Sequence, residues 1–178
     1  MIILPLASGC RVPDIPPQPS AQEYAVYGAW FEQASSSLPH ELTLAIDSST
    51  LKPMQNELQF EQCLPPRMER IFETAPDATL TSTASNDWLT LSDGRTAQLR
   101  PRDAPLTFQK STELFRLSRV AFTRMGYQAF FWVEHRTCQV GQGAAICSGG
   151  SGNLIHARKS NNVWTFEDTL CHTVLFPA

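Results

Sequence analysis

Three histidines in the last third of the chain are the side chains best suited to catalytic or metal chemistry: His135, His156 and His172. Three imidazoles can hold a zinc ion and leave its fourth position open for a substrate. Such a site requires that all three side chains converge on one face. Because side chains alternate along a strand, His135 lies on the same strand face as Phe131, and His156 lies on the same face as Leu154. The sequence does not define the register between these strands, so it does not show whether the three histidines share one face. We favour three unrelated imidazoles, and we predict no catalytic residue, no metal ligand and no cofactor.

A serine in a glycine-rich run is the next candidate. The run consists of Gly149, Gly150, Ser151, Gly152 and Asn153. It lacks the Gly-Lys-Ser/Thr ending of a phosphate-binding loop and the last glycine of Gly-x-Ser-x-Gly. We predict a flexible turn within the stretch 137–157, which has no Asp, Glu, Lys or Arg. Because long loops are often functional, this run is the candidate site if the protein binds a ligand or partner.

The cysteines indicate a redox compartment. Apart from Cys10 there are four of them, an even number that suits disulfide pairing in an oxidising environment. We predict the pair Cys138–Cys147, because both residues lie in the uncharged stretch, and therefore also Cys63–Cys171. Reduced core cysteines in a cytosolic protein are the alternative. Zinc is disfavoured because the sequence has no Cys-x2-Cys pair.

Arg119 is a charge in an otherwise apolar predicted strand. Such a side chain usually pairs with a carboxylate, and we expect that its partner is one of three residues. These residues are Glu41, Asp47 and Glu134.

Size and charge limit the class of protein. The chain has 178 residues, of which 17% are charged, and a formal net charge of -3. The length suggests one domain, and the charge argues against a nucleic-acid partner, which requires a basic surface. No run approaches the ~20 apolar residues of a membrane-spanning helix.

Hydrophobic spacing predicts helices early in the chain. Ser20 and Glu23 form a capping box before an amphipathic helix over 21–35. Alternating apolar residues over 42–46 predict a strand. Two short helices are predicted over the ranges 54–62 and 65–74. A hairpin is predicted over 88–99, with Asp93-Gly94 as a type I′ turn.

The last third of the chain is predicted to form strands joined by short turns. The strands cover 114–122, 128–135, 152–157, 163–166 and 170–176, and the last turn is Ser160-Asn161-Asn162. The strand at 128–135 is apolar on both faces and therefore central. The predicted fold class is α+β: an N-terminal amphipathic helix and short helices packed on an antiparallel meander.

The N-terminus combines an apolar run, small residues and Cys10. This pattern resembles the lipobox of bacterial lipoproteins, in which the cysteine receives the lipid. We divide the chain into a signal-like segment (1–9), the lipid-attachment cysteine with a proline-rich tether (10–20), and one globular domain (21–178). Because proline fixes φ, the tether is expected to be extended. The alternative is an apolar arm that packs on the domain with a free thiol.

Several segments near the end of the chain follow one another in a distinctive order: 117–122, 129–133, the cysteines at 138 and 147, and Trp164. This order resembles the ending of a bacterial family of secreted proteins and lipoproteins. In that family a Ser-Arg-Val-Gly-Phe-Asn strand precedes an apolar strand, a cysteine- and glycine-containing loop and a tryptophan strand. The range 24–27 similarly resembles the family's opening helix. The resemblance implies a fold and carries no established activity.

These observations predict a lipid-anchored envelope protein that acts as a non-catalytic binding or assembly module. Its expected partners are the membrane, through the lipid, and an envelope protein. One alternative is a small envelope hydrolase that uses His135, His156 or Ser151. Another is a cytosolic domain with free thiols.

Overall fold

A computed structural model describes residues 16–52, 63, 72, 74–84, 86–102, 104, 110–140 and 145–175 of the chain. Half of the described residues are in strands and 15% are helical. The named elements are α1 (Ala21–Ser36), β1 (Thr43–Asp47), β2 (Gln98–Arg100), β3 (Thr112–Leu117), β4 (Ala121–Phe122), β5 (Gln128–Val140), β6 (Ala145–Ser160) and β7 (Val163–Leu175).

Helix α1 begins where the capping box predicts. The Glu23 amide donates to the Ser20 hydroxyl at 3.2 Å, and the Ser20 amide donates to the Glu23 carboxylate at 2.8 Å. The apolar face of α1 packs on the sheet through aromatic edges. The ring of Tyr27 lies 5.5 Å from that of Phe131. The buried aromatic stripe therefore positions the helix across the central strands.

The sheet is mixed, and the predicted α+β fold is wrong. Seven strands form the order β2-β1-β3-β5-β6-β7, with β4 on β5. Strand β1 pairs in parallel with both β2 and β3, whereas the remaining pairs are antiparallel. Because β1 inserts between strands that come much later in the chain, local patterns could not reveal its partners. The short helices predicted over 54–62 and 65–74 lie, except for Phe72 and Thr74, outside the described residues.

Strand β5 is central, as predicted, and separates two cores. Its residues Ala129, Phe131 and Val133 face α1 in the larger core. Phe130 and Trp132 point to the other face, where they pack with residues that include Leu51, Phe72 and Leu154. Two buried faces explain why this strand is apolar at nearly every position.

The glycine-rich run is strand and not the flexible turn that we predicted. It lies inside β6, opposite the 134–136 part of β5. A Cβ on Gly152 would overlap the Trp132 ring and lie 2.9 Å from the Thr173 methyl group. A Cβ on Gly150 would overlap the backbone carbonyl of His135. These glycines permit close packing between neighbouring strands.

The type I′ turn occurs at a different place from the one predicted. Gly94 has a φ of +85°, but the φ of Asp93 is not positive. The turn of the 88–99 hairpin is therefore not of type I′. That hairpin holds one isolated bridge, between Thr90 and Thr96. Asn161 and Asn162, with φ of 50° and 63°, have the two positive values that a type I′ turn requires. They form the predicted turn between β6 and β7.

The two disulfides are the predicted pairs. Cys63 is bonded to Cys171 with 6.1 Å between the Cα atoms, and Cys138 is bonded to Cys147 with 3.9 Å. Disulfides persist in oxidising compartments, so they indicate an extracellular or periplasmic environment. Within the described residues, no helix has the length and apolar character needed to cross a membrane.

Candidate functional site

Six hydrogen-bonding side chains lie on the helix-facing side of the sheet, near the end of β5 that carries His135. We call this set the polar cluster: Glu113, His135, Thr137, Ser151, Asn153 and His172. The register brings them together, because His135 is paired with Phe115 on one side and with Ser151 on the other. Asn153 is paired with both Val133 and His172. Four neighbouring strands therefore contribute polar groups to one face.

Glu113 and His135 form the buried part of the cluster. The His135 Nε2 lies 2.5 Å from a Glu113 carboxylate oxygen, and the Thr137 hydroxyl donates to the same oxygen at 3.0 Å. The His135 ring is stacked on Phe115, with 4.7 Å between centroids. Burial by itself would raise the pKa of Glu113, but the contacts with His135 and Thr137 lower it below its ordinary value. The carboxylate is therefore ionised at neutral pH.

The ionised carboxylate fixes the tautomer of a neutral His135. Since Glu113 can only accept, Nε2 carries the proton and donates it. The Nδ1 atom is then an acceptor, and in a histidine of this kind it is the basic atom. The Nδ1 atom of a neutral His135 can consequently accept a hydrogen bond.

The half-buried Ser151 and Asn153 and the exposed His172 form the more accessible part of the cluster. The Asn153 amide nitrogen donates to the Ser151 hydroxyl oxygen at 3.0 Å. Its amide oxygen lies 2.8 Å from the His172 Nδ1, which is therefore the donor. This pattern leaves the Ser151 hydroxyl hydrogen and the His172 Nε2 without an assigned partner among the described residues.

The three histidines do not converge. His156 stacks on Phe130, with 4.9 Å between centroids, and is hydrogen-bonded to Asp168 at 3.1 Å. Phe130 belongs to the core on the other face of the sheet, so His156 lies opposite His135 and His172. In the described part of the chain, no group of three His, Cys, Asp or Glu residues could hold a metal ion.

Arg119 pairs with Glu23, and not with any of the three carboxylates that we considered. Its Nε lies 2.8 Å from Glu23, and both side chains are about 95% buried. Glu23 also accepts from the Val120 amide at 3.2 Å. Burial would lower the pKa of Arg119, but the hydrogen bond and charge of Glu23 raise it. The capping-box glutamate therefore has a second, long-range role that its local motif does not reveal.

Two of the expected carboxylates belong to a different arginine. Arg116 donates to Asp47 at 2.9 Å and lies 3.7 Å from Glu134. Arg119 uses its remaining donors on backbone carbonyls, including that of Pro16 at 2.9 Å. The end of the proline-rich tether is thereby fastened to the domain.

Sequence reasoning identified the serine and the histidines but missed Glu113 and Thr137. Glu113 is separated by one residue from the core residue Phe115, which is the spacing of side chains on one strand face. Only the register of β3 against β5 shows that this glutamate meets His135.

Comparison with protein-family models, with curated proteins and with solved structures finds no match for this chain. The geometry of the polar cluster and the chemistry of its side chains therefore carry the functional interpretation.

Proposed function

We propose that the protein is a lipid-anchored envelope module that binds a polar ligand at the polar cluster without transforming it. The observation that carries this proposal is the row of hydrogen-bonding groups presented by four neighbouring strands on one face. Ser151 and Asn153 of that row belong to the run for which the sequence predicted a ligand or partner. A strand holds these side chains more rigidly than a flexible turn would.

The proposed location rests on several features. The disulfides require an oxidising compartment. The start of the chain resembles a lipobox that ends at Cys10, and the prolines that follow suit a tether. The likeness to bacterial secreted proteins and lipoproteins points the same way.

The free groups of the cluster indicate the chemistry of the ligand. The Ser151 hydroxyl can donate, and the basic nitrogens of His135 and His172 can accept when neutral and donate when protonated. The buried charge of the polar cluster, that of Glu113, is already balanced by hydrogen bonds with His135 and Thr137. A ligand rich in hydroxyl and carboxylate groups fits this set better than an apolar or strongly cationic one.

Binding can be tested with the Cys10→Ser chain and soluble muropeptides, which carry sugar hydroxyls and carboxylates. We expect saturable changes in the amide NMR signals of residues 151–153 and 172. Asn153→Ala should abolish these changes, because this residue bridges Ser151 and His172. Thr165→Ala, on β7 but near the far end of the sheet, is the matched control and should bind normally. Saturable binding that survives Asn153→Ala would rule out the cluster as the site.

The lipid anchor has a separate test. Intact-mass spectrometry of the protein made from its own genomic start region should show a chain that begins at a lipidated Cys10. Reduction of the two disulfides should then add about four mass units. An unmodified chain that retains Met1 would contradict the anchor.

One geometric observation favours a hydrolase as the second candidate. His135 is bonded to Glu113 and lies directly across from Ser151, where paired Cβ atoms are ~5 Å apart. A serine, a base and a carboxylate that orients the base are the parts of an acyl-transfer site, and apo structures often have long contacts between them. In such a reaction Ser151 would attack an acyl carbon and pass its proton to Nδ1 of His135. The bond between the acyl carbon and the leaving group would then break as His135 returns that proton to the leaving group.

The hydrolase is tested with p-nitrophenyl acetate and a fluorophosphonate probe. An active site would release p-nitrophenol and label Ser151, and Ser151→Ala would lose both. Ser148→Ala is the matched control in the same strand. The binding module predicts no labelling of Ser151 above that of Ser148.

A further inference from the structure

Two turns meet at the end of the sheet opposite the polar cluster. The turn between β4 and β5 lies next to the strand ends that flank the β6–β7 turn. The Lys159 amide joins the two by donating to the Tyr127 carbonyl at 2.8 Å. We define the basic tip by the six residues exposed or half-buried there: Arg124, Met125, Tyr127, Arg158, Lys159 and Val163. Gln128, the first residue of β5 after Tyr127, and His135 are seven positions apart along that strand, which corresponds to ~23 Å.

The basic tip combines exposed apolar groups with one sign of charge. Met125, Tyr127 and Val163 have 77%, 58% and 61% of their surface exposed, which places them among the most exposed large apolar residues described. The stretches 123–128 and 158–166 contain three basic residues and no Asp or Glu, although the whole chain carries a net charge of -3. The next acidic residues are Glu167 and Asp168, farther along β7, where Asp168 is hydrogen-bonded to His156. The positive charge is therefore a local feature of this end.

The Pro16 end of the described chain lies between the two ends of the sheet. Arg119 binds the Pro16 carbonyl at 2.9 Å, and its neighbour Ser118 donates its amide to the Trp132 carbonyl in the middle of β5. The charge and exposure of the basic tip, and not the attachment of the chain, therefore distinguish this end of the domain.

We propose that the basic tip docks on an anionic lipid bilayer surface. Arg124, Arg158 and Lys159 face the anionic headgroups, while Met125, Tyr127 and Val163 enter the interface. Tyrosine favours this layer because its ring is apolar and its hydroxyl is polar. Docking would direct the polar cluster away from the bilayer, toward ligands in the compartment. This inference goes beyond the proposed ligand site and does not depend on the lipid.

The shape and composition of the tip favour a membrane over an acidic protein. Protein partners are usually held by a groove or pocket that buries central anchor residues. Here the apolar residues project from turns and strand ends, with basic residues between them, as in proteins that bind the membrane interface. Each basic residue near an anionic bilayer strengthens binding about fivefold.

The experiment uses the full chain with Cys10→Ser, so that the lipid itself contributes nothing. Cosedimentation is measured with vesicles of pure phosphatidylcholine and with vesicles of equal parts phosphatidylcholine and phosphatidylglycerol. We expect binding to the anionic vesicles only, and weaker binding as salt is raised. Substituting the three tip residues Arg124, Arg158 and Lys159 by glutamine should weaken binding about a hundredfold.

A pair of single variants separates local from overall charge. Arg124→Gln should lose about fivefold in binding. Lys110→Gln changes the net charge equally near the other end of the sheet and should lose nothing. Tyr127→Ser should weaken binding without changing its salt dependence. These side chains are exposed, and a thermal unfolding curve verifies that each variant folds.

Three results would overturn the proposal: equal binding to both kinds of vesicle, equal losses for Arg124→Gln and Lys110→Gln, or tip-dependent binding of poly-glutamate without vesicle binding. The last result would assign the tip to an acidic protein. Because muropeptide binding is measured separately with the same chain, failure at the tip is distinguishable from failure at the polar cluster.

Discussion

Two buried charges show how single residues stabilise this sheet. Arg119 is balanced by Glu23 across 96 positions of sequence, whereas Glu113 is balanced by His135 and Thr137 on the neighbouring strand. Neither partner can be deduced from local spacing, because both pairs form only when strands and helix have assembled. The two sites therefore respond differently to mutation and to pH.

Removing Arg119 should strongly destabilise the fold. Arg119→Met leaves Glu23 buried without its cation, and breaking a buried pair costs ~3–5 kcal/mol. The free energy of unfolding, measured with urea in the absence of reductant, should fall by that amount. Arg124→Met, at an exposed position, should change it by less than ~0.5 kcal/mol. Equal losses in the two variants would show that the buried pair has no special role.

Glu113 should make the protein sensitive to acid. Its pKa is lower in the folded state, so its stabilising effect is fully present above the ordinary value of ~4.3. That effect is lost as pH falls through the folded-state pKa. Glu113→Gln should therefore lose less stability between pH 6 and pH 3 than the parent chain, as measured by urea unfolding. An unchanged pH dependence, equal to that of the exposed control Glu167→Gln, would contradict this assignment.

At the scale of the element, close strand packing explains the glycines of β6. Gly152→Ala should destabilise the protein by ~1–3 kcal/mol, because the added Cβ meets the Trp132 ring. Gly28→Ala is the matched control in α1, since its Cβ would lie 3.5 Å from the nearest atom of Trp88. This control should be as stable as the parent or more stable by up to ~1 kcal/mol, reflecting helix propensity. Thermal unfolding of the two variants distinguishes packing from flexibility.

Elements with strong local patterns were predictable, and those defined by distant contacts were not. The capping box and aromatic spacing located α1, and the apolar run located β5. The glycines were misinterpreted because a residue without a side chain suits both a turn and a close strand contact. The polar cluster was half predicted: Ser151 and His135 were noted, but their alignment with Glu113 depends on register.

At the scale of the whole molecule, the disulfides should differ in how much they contribute. Cys63–Cys171 links positions 108 residues apart, whereas Cys138–Cys147 links positions nine apart. In the chain-entropy model, losing the long link costs nearly 5 kcal/mol and losing the short one costs ~3 kcal/mol. Urea unfolding of the two double alanine variants measures this difference. A larger loss for the Cys138→Ala, Cys147→Ala variant would contradict the entropic explanation.

The nesting of one disulfide inside the other has a consequence for biogenesis. During synthesis from the N-terminus, Cys63 emerges 75 residues before Cys138, and its native partner Cys171 comes last of all. With Cys10 carrying the proposed lipid, oxidation in the order of emergence would join Cys63 to Cys138, which is not a native pair. The native connectivity therefore requires either delayed oxidation or thiol–disulfide exchange, and on the exchange route the yield of native protein depends on a disulfide isomerase.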